Sequence, residues 1–367
     1  MSARFAAILH ASRKAGPWLL CLAVSAIFSS SPFHSRALAQ KAPSSETPPT
    51  CATCHAGLVR SFSTAPMHHA MEPEGANPEL IAHPDLSTTI GPYTYRVQTR
   101  EGHSTYSVTD GSSTVSEPIH LTFGQRTQTW ILEKDGAYYE TLVSYFPRDN
   151  VLDKTPDDAG TKPANLSEAM GRRLEVAEVR TCFDCHASGI NPGEKLDPTK
   201  TIPGITCERC HAGSQQHMAD AAQDNFKTLP KALKHLDAHQ ISNFCGQCHR
   251  TFDTVVRDRM QKVAVRFQPY RLELSKCFIG NNPRISCIAC HNPHQPLDHE
   301  TAHYDAKCLA CHNSSKTAAV AGPPKLCPVA KANCTSCHMQ KVEVSGNHAK
   351  FTDHYIRIVH PNQPYPE

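Results

Sequence analysis

The chain has 367 residues, of which 37 are Lys or Arg and 34 are Asp or Glu, so its formal net charge is +3 at pH 7. The first 39 residues contain four of the basic residues and no acidic residue, which leaves the remainder of the chain at −1. Nothing in this near-neutral balance argues for a nucleic-acid partner, since proteins that bind nucleic acids are typically strongly basic. The 17 cysteines are the unusual feature of the composition, and their spacing has to decide the class of protein.

Residues 1–39 predict a signal peptide for export. Arg13 and Lys14 precede an apolar run over residues 18–28, and the small-residue sequence Ala37-Leu38-Ala39 ends directly before Gln40. We therefore expect the mature chain to begin at Gln40 and to be periplasmic or extracellular.

A lipoprotein signal at Cys21 is the alternative, but Trp18-Leu19-Leu20 before it lacks the small residues that such a signal requires. The apolar run is too short to span a bilayer, and no comparable run follows it. The sequence therefore predicts no transmembrane anchor.

Fourteen of the cysteines form seven CxxC pairs, and a histidine follows each pair directly. The pairs are Cys51/Cys54, Cys182/Cys185, Cys207/Cys210, Cys245/Cys248, Cys287/Cys290, Cys308/Cys311 and Cys334/Cys337. The histidines, which number the motifs 1 to 7 in chain order, are His55, His186, His211, His249, His291, His312 and His338.

This spacing is what covalent haem attachment needs, because two thiols add to the haem vinyl groups and the next residue binds the iron from one face. A zinc or thioredoxin-type CxxC does not require a histidine at that position. The motifs therefore predict seven covalently bound haem c groups. With about −1 from each ferric haem and its propionates, the holoprotein would carry roughly −8.

Along the chain, residues 40–50 predict a flexible lead-in, and residues 51–75 a first haem segment. Residues 76–150 contain no CxxCH motif and predict a small antiparallel β insertion. In it, Tyr93, Tyr95 and Val97 alternate with polar residues, and Asp135-Gly136 separates two apolar runs as in a hairpin with a primed turn.

Residues 151–367 hold the other six motifs and predict a six-haem cytochrome c domain. The pattern indicates short helices without a long amphipathic one, so the predicted fold class is a mainly α and irregular multihaem cytochrome c scaffold with little regular structure. Because haems would supply most of the core, we expect the haem-free chain to be largely unfolded. Cys277 and Cys327 lie outside the motifs and either form a disulfide or remain thiols.

Fourteen further histidines after residue 39 could supply the second axial ligands of seven irons. His294 follows His291 too closely to reach the far face of the same haem, so we expect it to bind a neighbouring iron. Met67, His68 and His69 are consecutive and would diverge by about 100° on a helix; His68 is the favoured ligand and Met67 its rival. The predicted distal ligands are His68, His217, His239, His294, His348 and His354.

Three segments, Arg266–Leu272 (RFQPYRL), Cys287–His294 (CIACHNPH) and Phe351–Ile358 (FTDHYIRI), resemble the cytochrome c-552/4, or doubled-CxxCH, family of multihaem cytochromes. Phe123–Phe146 resembles an insertion found in environmental bacterial members. The resemblance implies a mainly helical haem scaffold with distal histidines in the NPH and FTDH contexts, which are His294 and His354 here.

Members of this family include electron carriers as well as proteins related to hydroxylamine oxidoreductase and pentahaem nitrite reductase, which react at one open haem. The CxxCK motif that marks the catalytic haem of the nitrite reductases does not occur in this chain. Resemblance of fold does not decide between these activities.

The main functional hypothesis is electron transfer through closely packed, mostly bis-histidine haems, with redox proteins or membrane quinol-oxidising complexes as partners. A haem-bearing filament subunit would carry the same motifs and differ only in its assembly.

The alternative is a multihaem oxidoreductase with one open-site iron for a small nitrogen or sulfur compound. That iron would belong to motif 1 or motif 2, the latter near Tyr138, Tyr139, Arg172 and Arg173 in the sequence. No catalytic residue is assigned.

Overall fold

The structure is a computed structural model, which describes residues 50–190, 197, 200–282, 284–312 and 327–360. The predicted signal peptide and nearly all of the predicted lead-in lie outside the described residues. Among the helices of the described part, none is long and apolar enough to cross a membrane.

Ten strands occupy the first half of the described chain. They are β1 (Met71–Pro73), β2 (Asp85–Ile90), β3 (Tyr93–Arg100), β4 (His103–Thr109), β5 (Thr114–Phe123), β6 (Thr129–Lys134), β7 (Ala137–Thr141), β8 (Val143–Phe146), β9 (Val151–Lys154) and β10 (Gly171–Arg173). Seven of them form an antiparallel sheet in the order β10-β7-β6-β5-β4-β3-β2, to which β1 adds by pairing with β5. Strands β8 and β9 pair with each other.

The long strand β5 allows the sheet to curl. Its first half pairs with β4, and its second half pairs with β6 on one edge and β1 on the other. A β-bulge lies between Ile119 and Leu121, and such a bulge bends a strand and turns its following side chains to the other face. Accordingly, Ile119 packs into one apolar cluster and Leu121 into another.

Side chains on the two faces of the sheet form two separate cores. In β6, Trp130 and Leu132 belong to the first cluster and Ile131 to the second, as the period of two requires. Tyr95, Val97 and Tyr106 fill the first cluster, which is therefore rich in aromatic residues.

The local predictions for this region are confirmed. Tyr93, Tyr95 and Val97 are buried, whereas the residues between them are more exposed. The hairpin of β6 and β7 turns at Asp135 and Gly136, whose φ angles of 50° and 71° are those of a primed turn.

The predicted fold class is wrong, because the sheet is a large curled structure and not a small insertion into a mainly helical scaffold. It extends from Met71 to Arg173. Strands β1 and β10 have three residues each, which is too short for a recognisable alternation, and β8 is buried throughout and does not alternate.

Short helices carry all seven CxxCH motifs. The helices of the described part are α1 (Cys51–Phe62), α2 (Pro78–Ala82), α3 (Leu166–Met170), α4 (Val176–His186), α5 (Cys207–Cys210), α6 (Ser214–Ala221), α7 (Ala238–His249), α8 (Phe252–Arg257), α9 (Gln268–Glu273), α10 (Cys287–Cys290), α11 (Thr301–His312) and α12 (Cys334–His338). Two small hairpins accompany them, β11 (Ala187–Ser188) with β12 (Ile202–Pro203), and β13 (Lys341–Val344) with β14 (Ala349–Thr352).

The two halves of the chain differ in how much apolar protein core they contain. Besides the two clusters of the sheet, the described second half contributes a small cluster around Val255, Ala264 and Phe267. Helix α4 packs Val179 and Phe183 onto the second face of the sheet, together with Cys182 of motif 2. The sheet therefore supports one motif directly, whereas the remaining motifs lie where protein core is scarce.

Candidate haem-binding sites

Each motif places its two thiols on one face of a helical turn. Cysteines at positions i and i+3 of a helix lie on the same side, so both can reach one planar group. In motifs 1, 3 and 5 the histidine leaves the helical conformation, with φ of −111° at His55, −104° at His211 and −115° at His291. The imidazole is thus directed by the end of the turn and not by a continuing helix.

Thiols of different motifs lie close to one another. Four pairs of thiols are near enough to interact, and they connect motif 1 with 3, motif 2 with 4, motif 4 with 5, and motif 6 with 7; they are Cys51/Cys207, Cys185/Cys248, Cys245/Cys287 and Cys308/Cys334. Electrostatic interactions of Cys210 with Cys245, and of Cys290 with Cys308, connect motif 3 with 4 and motif 5 with 6. The seven motifs form one continuous cluster in which motif 4 adjoins motifs 2, 3 and 5.

The two cysteines of motif 6 lie near other thiols. Cys308 and Cys311 are both half-buried in the last turns of helix α11, and Cys308 also lies near Cys334 of motif 7. Both interact electrostatically with Cys277, which lies outside the motifs. That Cys311 attaches a haem together with Cys308 therefore stays a prediction from the CxxCH spacing.

For Cys277 and Cys327, the sequence analysis left open a disulfide or two thiols. Neither Cys277 nor Cys327 is disulfide-bonded in the structure. Cys277 lies near motif thiols, those of Cys290, Cys308 and Cys311, and burial raises its pKa. The Cys277 side chain therefore belongs to the surroundings of motifs 5 and 6.

Several histidines are oriented by a hydrogen bond from Nδ1 to a backbone carbonyl. The distances to the carbonyl oxygen are 2.8 Å from His186 to Ala70, 3.2 Å from His211 to Lys231, 2.7 Å from His217 to Thr228, 2.7 Å from His338 to Arg357, 3.0 Å from His354 to Thr352 and 3.4 Å from His68 to Ile205. An Nδ1–H that donates to a carbonyl fixes the tautomer and leaves the Nε2 lone pair for a metal. In these six histidines, Nε2 is therefore the nitrogen that could bind a metal.

Burial keeps the central imidazoles neutral. It lowers the pKa of His186, His249, His291 and His294. It also lowers the pKa of His354 to about 4. Only the neutral imidazole binds a metal, so these side chains are in the binding form at neutral pH.

Two pairs of histidines from different segments have the separation of axial ligands. The ring centroids of His211 and His294 are 5.9 Å apart with an angle of 8° between the planes, and those of His291 and His354 are 6.2 Å apart with an angle of 42°. A metal–nitrogen bond of about 2 Å on each side of an iron, plus a ring radius of about 1.2 Å, separates two trans imidazole centroids by roughly 6 Å. The residues of motifs 3 and 5 therefore fit a bis-histidine haem.

The remaining predicted ligands have different surroundings. His239 places Nδ1 3.5 Å from a Glu273 carboxylate oxygen, an arrangement that also orients a ligating imidazole. His348 instead has Nδ1 3.2 Å from Asp149 and Nε2 2.9 Å from Asp153, so both ring nitrogens face carboxylates.

In the segment Met67-His68-His69, the two histidines differ in how many of their ring nitrogens form hydrogen bonds. His69 has Nδ1 2.6 Å from Glu72 and Nε2 2.7 Å from the Ser63 carbonyl oxygen, so both nitrogens are engaged. Among the described residues, His68 forms a hydrogen bond through Nδ1 and not through Nε2. Of the two histidines, the geometry leaves Nε2 of His68 available to a metal, and His68 as a ligand, with Met67 as its rival, stays a prediction.

The residues proposed near motif 2 come together through strand pairing. Arg172 and Arg173 of β10 lie opposite Glu140 and Tyr139 of β7. Arg172 forms ion pairs of 2.8 Å with both Glu140 and Glu178, so a structural role accounts for its position.

The backbone carbonyls that orient the histidines are functional groups that the sequence analysis missed. Ala70, Thr228, Lys231 and Arg357 are distant in sequence from some of the imidazoles they hold, and any residue type can supply a carbonyl. No sequence signal could have identified them.

Comparison with known proteins gives two matches. Residues 154–212 match the family model described as "Cytochrome c554 and c-prime". The crystal structure of the outer cell wall cytochrome OcwA is similar with a TM-score of 0.42 and 12% identity, covering 84% of this chain and 78% of that one. No curated protein matches the chain. The family match, which includes motifs 2 and 3, supports a multihaem c-type cytochrome with haem binding and electron transport.

Proposed function

We propose that this multihaem c-type cytochrome is an exported electron carrier that holds seven haems, one at each CxxCH motif. The observation that carries the proposal is that neighbouring motifs lie close together: the Cys185 thiol of motif 2 is 3.7 Å from the Gln247 carbonyl oxygen of motif 4, and interactions between thiols join all seven motifs into one series. Each bound haem supplies an iron that accepts and releases one electron. Groups attached at contacting motifs are held close together, which is what electron transfer between them requires.

The contacts between motifs support a defined route. They run from motif 1 through motifs 3, 4, 5 and 6 to motif 7, with motif 2 joined to motif 4 as a branch. The two ends of this route are exposed, and the branch at motif 2 is not. Cys54 and Cys337 are exposed, whereas motif 2 is packed on the sheet. Motifs 1 and 7 are therefore the proposed points of electron entry and exit.

Ligands from distant segments are proposed to complete the iron coordination. His294 is the partner of His211 and His354 the partner of His291, as their ring separations support. His68, His217 and His239 are further proposed ligands, because each has an oriented Nδ1. His348 is left out of this set because both of its nitrogens face carboxylates.

Backbone carbonyls of the chain fix several of the imidazoles. The carbonyls of Ala70, Thr352 and Arg357 hold imidazoles in one tautomer. Histidines fixed in this way would hold a haem with the same ligands in both oxidation states, which favours fast electron transfer. The proposed partners are redox proteins or membrane quinol-oxidising complexes, and the proposed location is the periplasm or the cell exterior.

Electron paramagnetic resonance of the oxidised protein tests this function against an oxidoreductase with an open iron. A carrier with every iron six-coordinate gives only low-spin ferric signals. A stoichiometric high-spin signal that changes on adding a small nitrogen or sulfur compound would instead support the oxidoreductase.

A further inference from the structure

One exposed segment is rich in lysine although the rest of the chain is not. Residues 225–236, NFKTLPKALKHL, which we call the lysine loop, contain Lys227, Lys231 and Lys234 and no acidic residue. All three lysines are exposed. Seven haems would bring the mature protein to roughly −8, whereas the lysine loop, which lies between Asp224 and Asp237, carries three positive charges of its own.

Apolar side chains are exposed in the same loop. Phe226 is 59% exposed and Leu229 is 73% exposed. Exposed aromatic and aliphatic residues surrounded by charge are typical of protein interaction sites.

The lysine loop is also in direct contact with two proposed haem ligands. The Thr228 carbonyl oxygen accepts a hydrogen bond of 2.7 Å from Nδ1 of His217, and the Lys231 carbonyl oxygen accepts one of 3.2 Å from Nδ1 of His211. The Lys231 N–H donates to the Ala212 carbonyl oxygen at 2.9 Å. The patch therefore lies one hydrogen bond away from imidazoles of motif 3 and of helix α6, whose Met218 contacts Cys51 of motif 1.

We propose that the lysine loop is the docking surface for a small redox protein with an acidic surface, which exchanges electrons with the haems of motifs 1 and 3. This inference rests on the proposed electron-transfer function. Complementary charge steers such a partner and raises its association rate, and Phe226 and Leu229 supply apolar contact once it has docked. One electron passes at each encounter, so that a ferric iron becomes ferrous as the donor loses one electron.

The loop favours a protein partner over an anionic membrane surface. Membrane-surface binding by a basic segment uses an amphipathic helix with a continuous apolar face. The lysine loop contains Pro230 and only one short helical turn, Leu233–His235, so it presents no such face.

The test measures reduction of the complete haem-loaded protein by an acidic flavodoxin that has been photoreduced to its hydroquinone anion. The hydroquinone gives one electron to a ferric haem and becomes the neutral semiquinone. The test variant is Lys227→Glu/Lys234→Glu, which leaves Lys231 in place beside His211. The matched control is Lys262→Glu/Lys276→Glu, which has the same change in net charge at two other exposed lysines.

At low ionic strength, we expect the second-order rate constant of the loop variant to fall by about tenfold or more, and that of the control by less than about threefold. At high salt, the rate constants of the wild type, the loop variant and the control should become equal, because salt screens the charges. Photoreduced lumiflavin, an uncharged donor, should reduce all three at the same rate, which shows that the haems are intact.

Equal slowing of the loop variant and the control would overturn the proposal, because net charge alone would then explain the rates. Loss of binding to anionic phosphatidylserine vesicles in the loop variant, with an unchanged flavodoxin rate, would identify a membrane surface and also overturn it. A wild-type protein that neither donor reduces would refute the electron-transfer function itself, a result distinct from both.

Discussion

Arg271 forms a two-point ion pair with Asp353, in which Nε of the guanidinium lies 2.7 Å from Oδ1 of the carboxylate. The Asp353 side chain is 1% exposed, and its neighbour in sequence is His354. The Ser275 hydroxyl contacts the backbone on the other side of His354, through the N–H of Ile356 at 2.8 Å. Helix α9 and the turn after it therefore hold the segment that presents His354 to His291.

Replacing Arg271 should free His354 from its iron. Arg271→Leu removes the two-point ion pair from the buried Asp353 carboxylate, which costs about 3 kcal/mol or more. We expect one high-spin ferric signal that the wild-type protein lacks, measured by electron paramagnetic resonance. Arg266→Leu is the control, because Arg266 contacts Asn347 at 3.3 Å and not Asp353. Identical spectra for wild type and Arg271→Leu would contradict this role.

His294 should ligate the iron of motif 3 and not that of its own motif 5. His294→Ala is expected to convert one iron to high spin. Adding Cys207→Ala/Cys210→Ala, which removes the haem of motif 3, should abolish that signal. Adding Cys287→Ala/Cys290→Ala instead should leave it in place, and the reverse result would reject the cross-motif assignment.

Substitutions of the consecutive residues Met67, His68 and His69 should have different effects on the spin state of the haem irons. His68→Ala is expected to produce one high-spin iron, because its Nε2 is the nitrogen left for a metal. His69→Ala should not, because both of its nitrogens already bond to protein groups. If Met67→Leu alone changes the spectrum, and removes a methionine–iron charge-transfer band, then Met67 is the ligand.

Replacing Gly204 with alanine should destabilise the protein much more than replacing Gly136. Its φ is 76°, and a Cβ there would overlap the His68 carbonyl oxygen. Gly204→Ala should displace the segment that carries both His68 and the Ala70 carbonyl bonded to His186. Gly136→Ala has a similar φ of 71° but open space around the added Cβ, so it should cost only about 1 kcal/mol. Equal thermal stability of the two variants would contradict this account.

Asp305 should stabilise helix α12, which carries motif 7, in a pH-dependent way. Its carboxylate accepts the N–H groups of Asn333 at 2.7 Å and Cys334 at 2.8 Å, and these hydrogen bonds lower the pKa of Asp305 below its ordinary value. A lowered pKa means that the stabilisation is complete above the ordinary value of about 4 and is lost as the pH falls through the lowered one.

The comparison for this prediction is Asp305→Asn. Its urea midpoint should lie below that of the wild type at pH 6, and the two should converge under acidic conditions. A difference that does not change with pH would indicate a role that does not depend on the charge of Asp305.

The sequence was sufficient for features that depend on local spacing. The alternation of Tyr93, Tyr95 and Val97 located a strand, and Asp135-Gly136 located a primed hairpin turn, because both signals arise within a few residues. That His294 serves another iron stays a prediction, which follows from the short length of chain between it and His291; the structure places the His294 ring beside that of His211.

Features that depend on distant contacts could not be predicted in the same way. Strands β1 and β10 exist because β5 and β7 offer them open edges, and this is a tertiary effect that three residues cannot encode. His348 follows a plausible ligand pattern, yet Asp149 and Asp153, about 200 residues earlier, occupy its nitrogens. The sequence around His348 does not indicate which carboxylates the fold places beside it.

The surroundings of Cys277 are a second example. Counting cysteines outside the motifs left Cys327 as its candidate partner, whereas the structure places it near Cys311 and Cys308 of motif 6. The sequence separation of about 30 residues between Cys277 and motif 6 carries no information about which thiol folding brings close.

The central claim is that all seven CxxCH motifs carry covalently attached haem. Intact mass spectrometry of the exported, denatured protein measures this directly, because thioether bonds survive denaturation whereas ligated but unattached haem is lost. We predict the mass of the processed polypeptide plus seven haem groups. A mass with fewer haem groups would contradict the account, and peptide mapping would then show which pair of cysteines lacks haem.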